Sequence, residues 1–529
     1  MGERARIGGL RWADGAAPDK VIAGMRAALG ADAQLLMLDR PGGVWRGHGE
    51  VLDGDLADVS AGDGAFVYAR AAGDTLLLRR DAVGHRSLYW AAPRPGVFVF
   101  ASTLAGVLGS GLVPRALDAD TVAVYLAYAY VPGARTLVRG VSALPADGVL
   151  EVADTISQRS VGGLPLPPDS FEDEAPLRAR LRATLDDAVR RHLPAPGAPL
   201  GATLSGGIDS SLVLALARAA HVGPARAFSV SFGPPHADEL AWSGAVCRHL
   251  GVEQRVVTVR PEDVRARFDE AVTTLSEPNG DPLTVPNLLL FEAASGWGDT
   301  LLNGEGGDPT FGGPKNGPML LAELLDTDDD RGAAYLRAHQ RCYDDLPHLL
   351  APGLDPAGAQ ARLARELEPW FSDERGLLDA LMAINVTFKG AWHILPKVDT
   401  LGARFGVRPR SPLFDRRVVA LSFAVPGPLK RRGAVEKHLL KEAVRDLLPD
   451  AVVDRPKSGM MVPVEAWFSG PLRGWAQERL LDGLAPRGLV RKEALEDLLA
   501  GRRLGLRPRR GIKIWLLLTL EAWLRGHGL

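Results

Sequence analysis

PLGATLSGGIDSSLVLALARAA, residues 199–220, runs from a short apolar stretch through a glycine-rich loop into an apolar helical pattern. Strand, loop and helix in that order open a parallel α/β sheet. Gly206 and Gly207 can take backbone angles closed to other residues, so successive N–H groups can converge on a phosphate at the positive end of the following helix. Ser205, Ser210 and Ser211 add hydroxyl donors. Asp209 would repel a phosphate unless a divalent cation lay between them, which implies Mg2+. The loop lacks the Gly-Lys-Ser/Thr ending of the Walker loop, which disfavours an NTPase that cleaves a γ-phosphate. An ordinary strand-to-helix turn would account for the two glycines, but not for the serines and Asp209 together.

Outward from this loop, AFSVSF (227–232) and DTLLN (299–303) read as further strands, separated by helical patterns at 241–250 and 286–294. From about 319 the pattern is mostly helical. Upstream, 175–191 is an amphipathic helix. Residues 7–152 are short apolar runs broken by Gly, Pro and Asp, with helical stretches at 19–29 and 118–128, which predicts an α+β layered domain. Between 157 and 174 the chain turns rich in Pro, Gly, Ser and acidic residues, a linker composition. The expectation is a domain at 1–165 and a second at 175–529, in keeping with a length of 529 residues, beyond the roughly 250–300 at which one core stops growing.

A net charge of -2 gives no electrostatic case for a nucleic-acid or membrane partner. The one basic cluster, 502–510, is interrupted by Gly505 and Pro508 and reads first as a solvated loop, with anionic substrate as the lesser reading. Cys247 and Cys342 are too few for a disulfide framework and have no zinc spacing, which fits a reducing cytoplasm. The opening Met-Gly-Glu-Arg-Ala-Arg has no apolar signal core, and the apolar run 514–520 falls far short of the roughly 20 residues of a spanning helix. A soluble, cytoplasmic protein is expected.

The 205–211 loop resembles that of the asparagine synthetase family of ATP pyrophosphatases, and the likeness continues downstream. NGEGGDPTFGG (303–313) is similar to the family segment carrying an acidic catalytic residue and a second magnesium ligand. That match puts Asp308 with Asp209 on Mg2+ and makes Glu305 the acid/base candidate. KVDTLGARFGVRPRSPLFDRRVVALSF (397–423) resembles the stretch that carries a partner carboxylate, here Asp399. Two carboxylates held close push one pKa upward, as a base for an incoming ammonium requires. EKHLLKEAVRDLLPDAVVDRPKSGM (436–460) is similar to the closing helix and lysine turn, where Lys457 matches the lysine that offsets charge on the acyl-adenylate and pyrophosphate. Lys437 is a further candidate for a phosphate contact. For the adenine base the resemblance implies backbone groups at Leu204, Val230, Asn303 and Gly304. ATP and Mg2+ are the implied cofactors. Asp238 and Glu239 could face ATP or water and receive no role.

GDGAFVYARAAGDTLLLRRDAVGHRSLYW (62–90), with FASTLAGVLGS, YVPGARTLVRGV and LPADG, resembles the Ntn-type glutaminase half of class II amidotransferases. Those enzymes attack glutamine with an N-terminal cysteine. Here position 2 is Gly2, no cysteine precedes Cys247, and the glutamine-binding Asn-Gly-Glu is absent from this half. The expectation is therefore a glutaminase-inactive domain, with an amine of the substrate itself as the nucleophile. β-Lactam synthetases and lasso-peptide cyclases share that loss. The former carry Tyr where Glu305 stands, and DPTFGGPKNGPM (308–319) is more similar to the latter.

The resemblance thus implies macrolactam closure of a lasso peptide, N-terminal amine onto an Asp or Glu side chain, with release of AMP and pyrophosphate. β-Lactam-type cyclisation of a small β-amino acid is the alternative, and a non-catalytic nucleotide-binding scaffold is the alternative of another class. The implied partners are a peptide or small amino-acid substrate, a leader peptidase and a precursor-recognition protein. A substrate cavity is expected between 315–395 and the N-terminal half, with FKGAWH (388–393) as its lining or as core.

Overall fold

A computed structural model describes residues 6–41, 47–58, 62–164, 173–236, 238–324, 330–371, 376–456, 460–502 and 509–529. The N-terminal half contributes ten strands: β1 (Ile7–Trp12), β2 (Gln34–Asp39), β3 (Gly49–Asp58), β4 (Asp63–Ala72), β5 (Thr75–Arg80), β6 (Tyr89–Arg94), β7 (Val97–Ala101), β8 (Ser142–Ala143), β9 (Gly148–Val152) and β10 (Ile156–Ser160). They form two five-stranded sheets, β2-β1-β7-β6-β8 and β10-β9-β5-β4-β3. Alternating apolar side chains of the two sheets, among them Leu38, Val67, Leu78, Phe98, Phe100 and Leu150, make one buried layer between them. Helices Asp19–Leu29 and Leu104–Gly109 cover the first sheet. Gly8 and Gly106 leave room for the Leu29 side chain, since a Cβ at either would stand within 2.8 Å of it.

The expected linker at 157–174 needs correction. Residues 157–160 belong to β10, whose side chains are exposed but whose backbone pairs antiparallel with β9. A polar edge strand is held by its ladder and not by burial, so its composition resembles that of a loop. Residues 165–172 lie outside the described residues.

In the C-terminal half β11 (Leu200–Thr203), β12 (Ala225–Ser231), β13 (Glu253–Thr258), β14 (Thr300–Leu302) and β15 (Arg408–Arg410) form a wholly parallel sheet in the order β13-β12-β11-β14-β15. The expected α/β architecture is present. The order reverses between β11 and β14, so the loops leaving their carboxyl ends diverge from a common crevice, the usual ligand position in such a sheet. The 199–220 stretch is β11 followed by helix Ile208–Ala220, and the NGEGG segment follows β14.

The two halves share one apolar core. Helix Ala119–Tyr128 is buried on every side from Thr121 to Tyr128; Tyr125 Oη donates to the Leu516 carbonyl at 2.9 Å, and Cys342 N–H donates to that of Leu126 at 3.1 Å. Leu516 lies in the helix Arg510–His527, which carries the 514–520 apolar run as a core element. Its two inward charges are paired, Lys513 with Asp345 at 2.6 Å and Glu521 with Arg479. No helix among the described residues is long and apolar enough to cross a membrane.

Candidate active site

The loop after β11 is drawn tight by its own side chains. Ser210 Oγ accepts from Ser205 N–H at 3.2 Å and lies 3.2 Å from Ser205 Oγ, while Ser205 Oγ accepts from Gly207 N–H at 3.3 Å. Gly206 sits at φ +79°, and a Cβ there would stand 2.5 Å from Ser243 N, so both conformation and space demand glycine. The loop after β14 packs directly on this one. A Cβ at Gly304 would overlap Ser210 N, and one at Gly307 would overlap the Asp209 carboxylate. The glycines of NGEGG therefore allow the two loops of the switch point to touch.

Asp209 and Asp308 converge on one cation, which is a lysine. Lys437 Nζ donates to Asp209 Oδ1 and Oδ2 at 2.8 and 2.6 Å and lies 2.5 Å from Asp308 Oδ1. All three are well enclosed, and Lys437 itself is buried at φ +55° before helix His438–Val444. Burial works against the ammonium charge, but the two carboxylates outweigh it and raise the lysine pKa above its ordinary value. The sequence reading put Lys437 on phosphate; here it bridges the two residues expected on Mg2+. A carboxylate pair that accommodates a buried ammonium is chemically suited to a hard divalent cation. Two buried polar atoms on the same two connections, Ser211 Oγ after β11 and Asn303 Nδ2 after β14, have no hydrogen-bond partner among the described residues.

Glu305 follows the same turn. Its N–H donates to Asn303 Oδ1 at 3.1 Å, which also accepts from Ser411 Oγ at 2.8 Å. The half-buried Glu305 carboxylate makes no hydrogen bond or ion pair among the described residues. Asp399 lies at the contact between the two halves, 3.3 Å from Arg86 Nη1. The backbone groups assigned to adenine are partly engaged: Leu204 N–H donates to the Phe228 carbonyl at 2.8 Å, its own carbonyl accepts from Ser229 Oγ at 2.7 Å, and Asn303 N–H donates to the Arg410 carbonyl at 2.8 Å. Val230 is buried in β12. Lys457 lies outside the described residues.

Arg455 was missed by the sequence reading. It ion-pairs with Glu239, reaches the Gly206 carbonyl at 3.4 Å and lies over the Trp242 ring at 4.8 Å. With Lys441, Glu436 and Pro456 it lines a small recess beside Gly207 and Ile208 at the phosphate loop. The signal was in the sequence, as Arg-Pro two residues before Lys457, but only the fold brings it against Gly206.

A cavity of about 40 Å³ lies between the halves, lined in part by Asp53, Ser87, Tyr89, Glu277, Trp392 and Asp399. FKGAWH divides there: Trp392 faces this cavity, whereas Phe388 packs edge-on to Tyr128 and Trp370 in the core. Both belong to Asn385–Ile394, which has wide π-type turns. Burial pushes the Glu277 carboxyl up to about 8, against a hydrogen bond from Leu137 N–H at 3.3 Å, and Glu277 Oε1 has no partner among the described residues. A carboxyl whose folded pKa exceeds its unfolded value keeps its proton longer in the native state, so stability falls as pH rises from about 4.5 to 8 and then levels. Glu277→Gln is expected to remove that slope and to melt above wild type at pH 9; equal pH–Tm curves would refute it.

A parallel sheet whose switch-point loops carry an aspartate pair bridged by a lysine, joined to a two-sheet sandwich, defines the class. The asparagine synthase family model matches residues 180–525, and a glutamine amidotransferase domain model matches 54–160. The chain belongs to the asparagine synthase family, and it is an ATP-dependent amide ligase of that family. It is 22% identical to asparagine synthetase [glutamine-hydrolyzing] 1 of Bacillus subtilis over 84% of this chain and 74% of that protein. It is 25% identical to a putative asparagine synthetase [glutamine-hydrolyzing] of Mycobacterium tuberculosis, covering 97% and 86%. It is 27% identical to carboxyethyl-arginine beta-lactam-synthase of Streptomyces clavuligerus, covering 87% and 79%.

Proposed function

We propose that the chain adenylates a carboxylate with ATP and closes an intramolecular amide, namely the macrolactam of a lasso peptide. The observation that carries this reading is Glu305: a carboxylate with no hydrogen bond or ion pair among the described residues, at the switch-point crevice and one turn from Asp308 of the Asp209–Lys437–Asp308 cluster. The 205–211 loop receives the pyrophosphate end of ATP on its N–H groups and hydroxyls. The substrate carboxylate attacks the α-phosphorus and pyrophosphate leaves. The peptide amine then attacks the acyl carbon, Glu305 takes its proton with Asp399 as partner, and AMP leaves. Leu204, Val230, Asn303 and Gly304 are assigned to the adenine and Lys457 to the charge on adenylate and pyrophosphate, while Lys437 holds Asp209 and Asp308 together. Asp209 and Asp308 would hold Mg2+, which supplies screening of the phosphate charge.

Glutamine is not the nitrogen source in this reading. Cys247 and Cys342 are both buried, with thiol pKa values pushed up by burial to about 11 and about 12, so neither supplies a thiolate; Gly2 lies outside the described residues. Holding amine and acyl group in one molecule replaces a bimolecular step, which can lower the barrier by about 7 kcal/mol or more. The substrate is a core peptide supplied by a leader peptidase and a precursor-recognition protein in the cytoplasm.

β-Lactam-type closure of a small β-amino acid is the second reading, favoured by the likeness to carboxyethyl-arginine beta-lactam-synthase. Glu305, where β-lactam synthetases resemble one another in having Tyr, weighs against it. The test mixes purified protein, ATP and MgCl2 with synthetic linear peptides bearing a free N-terminal amine and one Asp or Glu at successive positions. Pyrophosphate release matched by a product lighter by one water is the expected result. Release only with carboxyethyl-arginine would transfer the assignment to the second reading, and release with neither would sink both.

A further inference from the structure

The segment RDAVGHR (80–86) joins the sandwich to the ligase half through two arginines on one locked turn. Asp81 is buried and its carboxylate accepts from the N–H groups of Val83, Gly84, His85 and Arg86, at 3.2, 2.7, 3.1 and 3.4 Å, and lies 3.0 Å from His85 Nδ1. Four backbone donors on one carboxylate leave the turn little freedom. Gly84, at φ +84°, lies so close to the ligase half that a Cβ there would stand 2.7 Å from Ala391 Cβ. Arg80, fully buried, donates to the Ala391 carbonyl at 2.7 Å and lies over the Trp392 ring at 4.5 Å. Arg86 donates from Nε to the Ala65 carbonyl at 3.0 Å and from Nη1 to Asp53 at 3.1 Å. The same Nη1 is 3.3 Å from Asp399 Oδ1, and both arginine and carboxylates are largely enclosed. The guanidinium is thus held from its own half before it meets Asp399, and a planar fork with fixed donors sets direction as well as charge.

We propose that Arg86 is a positioning residue for amide formation: braced by Asp53 and Ala65, it fixes the Asp399 carboxylate, so that the sandwich serves the ligase centre as a structural support. This rests on the reading of Asp399 as partner to Glu305. Substrate adenylation takes place at the 205–211 loop and needs no contribution from Arg86, whereas transfer of the acyl group to the amine needs the carboxylates in register.

The test uses the full chain as wild type, Arg86→Met, Arg86→Lys, Asp399→Asn and the Arg86→Met/Asp399→Asn pair, with the peptide panel described above. ATP–pyrophosphate exchange reports adenylation, and single-turnover product mass reports closure. Arg86→Met is expected to slow closure about 100-fold, the scale of a misplaced reacting group, while leaving exchange near wild type. It should add nothing on the Asp399→Asn background, because both changes remove the same interaction. Arg86→Lys should recover part of the rate by keeping the charge. If Arg86→Met does not fold, judged by its melting curve, the Lys variant carries the same cycle. An undiminished effect of the arginine change in the Asp399→Asn background, or equal loss of exchange and closure, overturns the proposal. Absence of exchange in the wild type with every peptide would instead overturn the functional reading on which it stands.

Discussion

Glu305→Gln is expected to abolish ring closure while adenylation continues. The carboxylate has no hydrogen bond or ion pair among the described residues, so the amide breaks no contact and stability should change by no more than about 0.5 kcal/mol. Glutamine cannot accept the ammonium proton, and loss of a general base costs roughly 10²–10⁴-fold. The expected pattern is ATP–pyrophosphate exchange near wild type, a melting curve superimposable on wild type, and no detectable macrolactam. Full closure activity in this variant would remove Glu305 from the mechanism, and loss of exchange as well would place it in nucleotide binding.

Lys437→Met should have the largest effect on stability. The lysine ties Asp209 and Asp308 together in an enclosed site, and methionine would leave two carboxylates without that cation. Breaking a buried pair by removing one partner costs about 3–5 kcal/mol. Because the lysine pKa is raised, its stabilising share is fully present below the unfolded value of 10.5 and is lost only as pH rises through the higher folded value, so the deficit persists across the neutral range. A divalent cation binding the folded state would restore part of it by mass action. In scanning fluorimetry the variant should melt about 3–5 °C below wild type in EDTA and gain on addition of MgCl2 alone, with little gain in the wild type. A variant as stable as wild type in EDTA would show that the lysine bridge contributes nothing.

Much of the fold was legible because its elements are locally consistent. The stretch 199–220 is strand, loop and helix on its own propensities, and the helices Asp19–Leu29, Ala119–Tyr128 and Thr284–Ala294 lie where the apolar period placed them. Strand β13 was not legible: as the sheet edge its residues are exposed or half-buried and carry no alternation. β15 is three residues, Arg-Pro-Arg, a strand only because β14 lies beside it. Arg455 and Arg86 went unread for a related reason. Each is one arginine among many in the sequence, and its meaning comes from a partner more than 200 residues away.

Residue type alone determined that a glycine-rich loop with serines and an aspartate precedes a helix, and that a second glycine-rich acidic turn follows another strand. Those are local properties, set by φ, by hydroxyl and carboxylate chemistry and by hydrophobic period. What only the tertiary structure decided is which of these groups meet. The strand order β13-β12-β11-β14-β15 brings the two turns together, puts Lys437 between Asp209 and Asp308, and hands Asp399 to an arginine from the other half. Charge pairing falls off over a few ångströms, and no spacing along the chain encodes a distance of that kind across the fold.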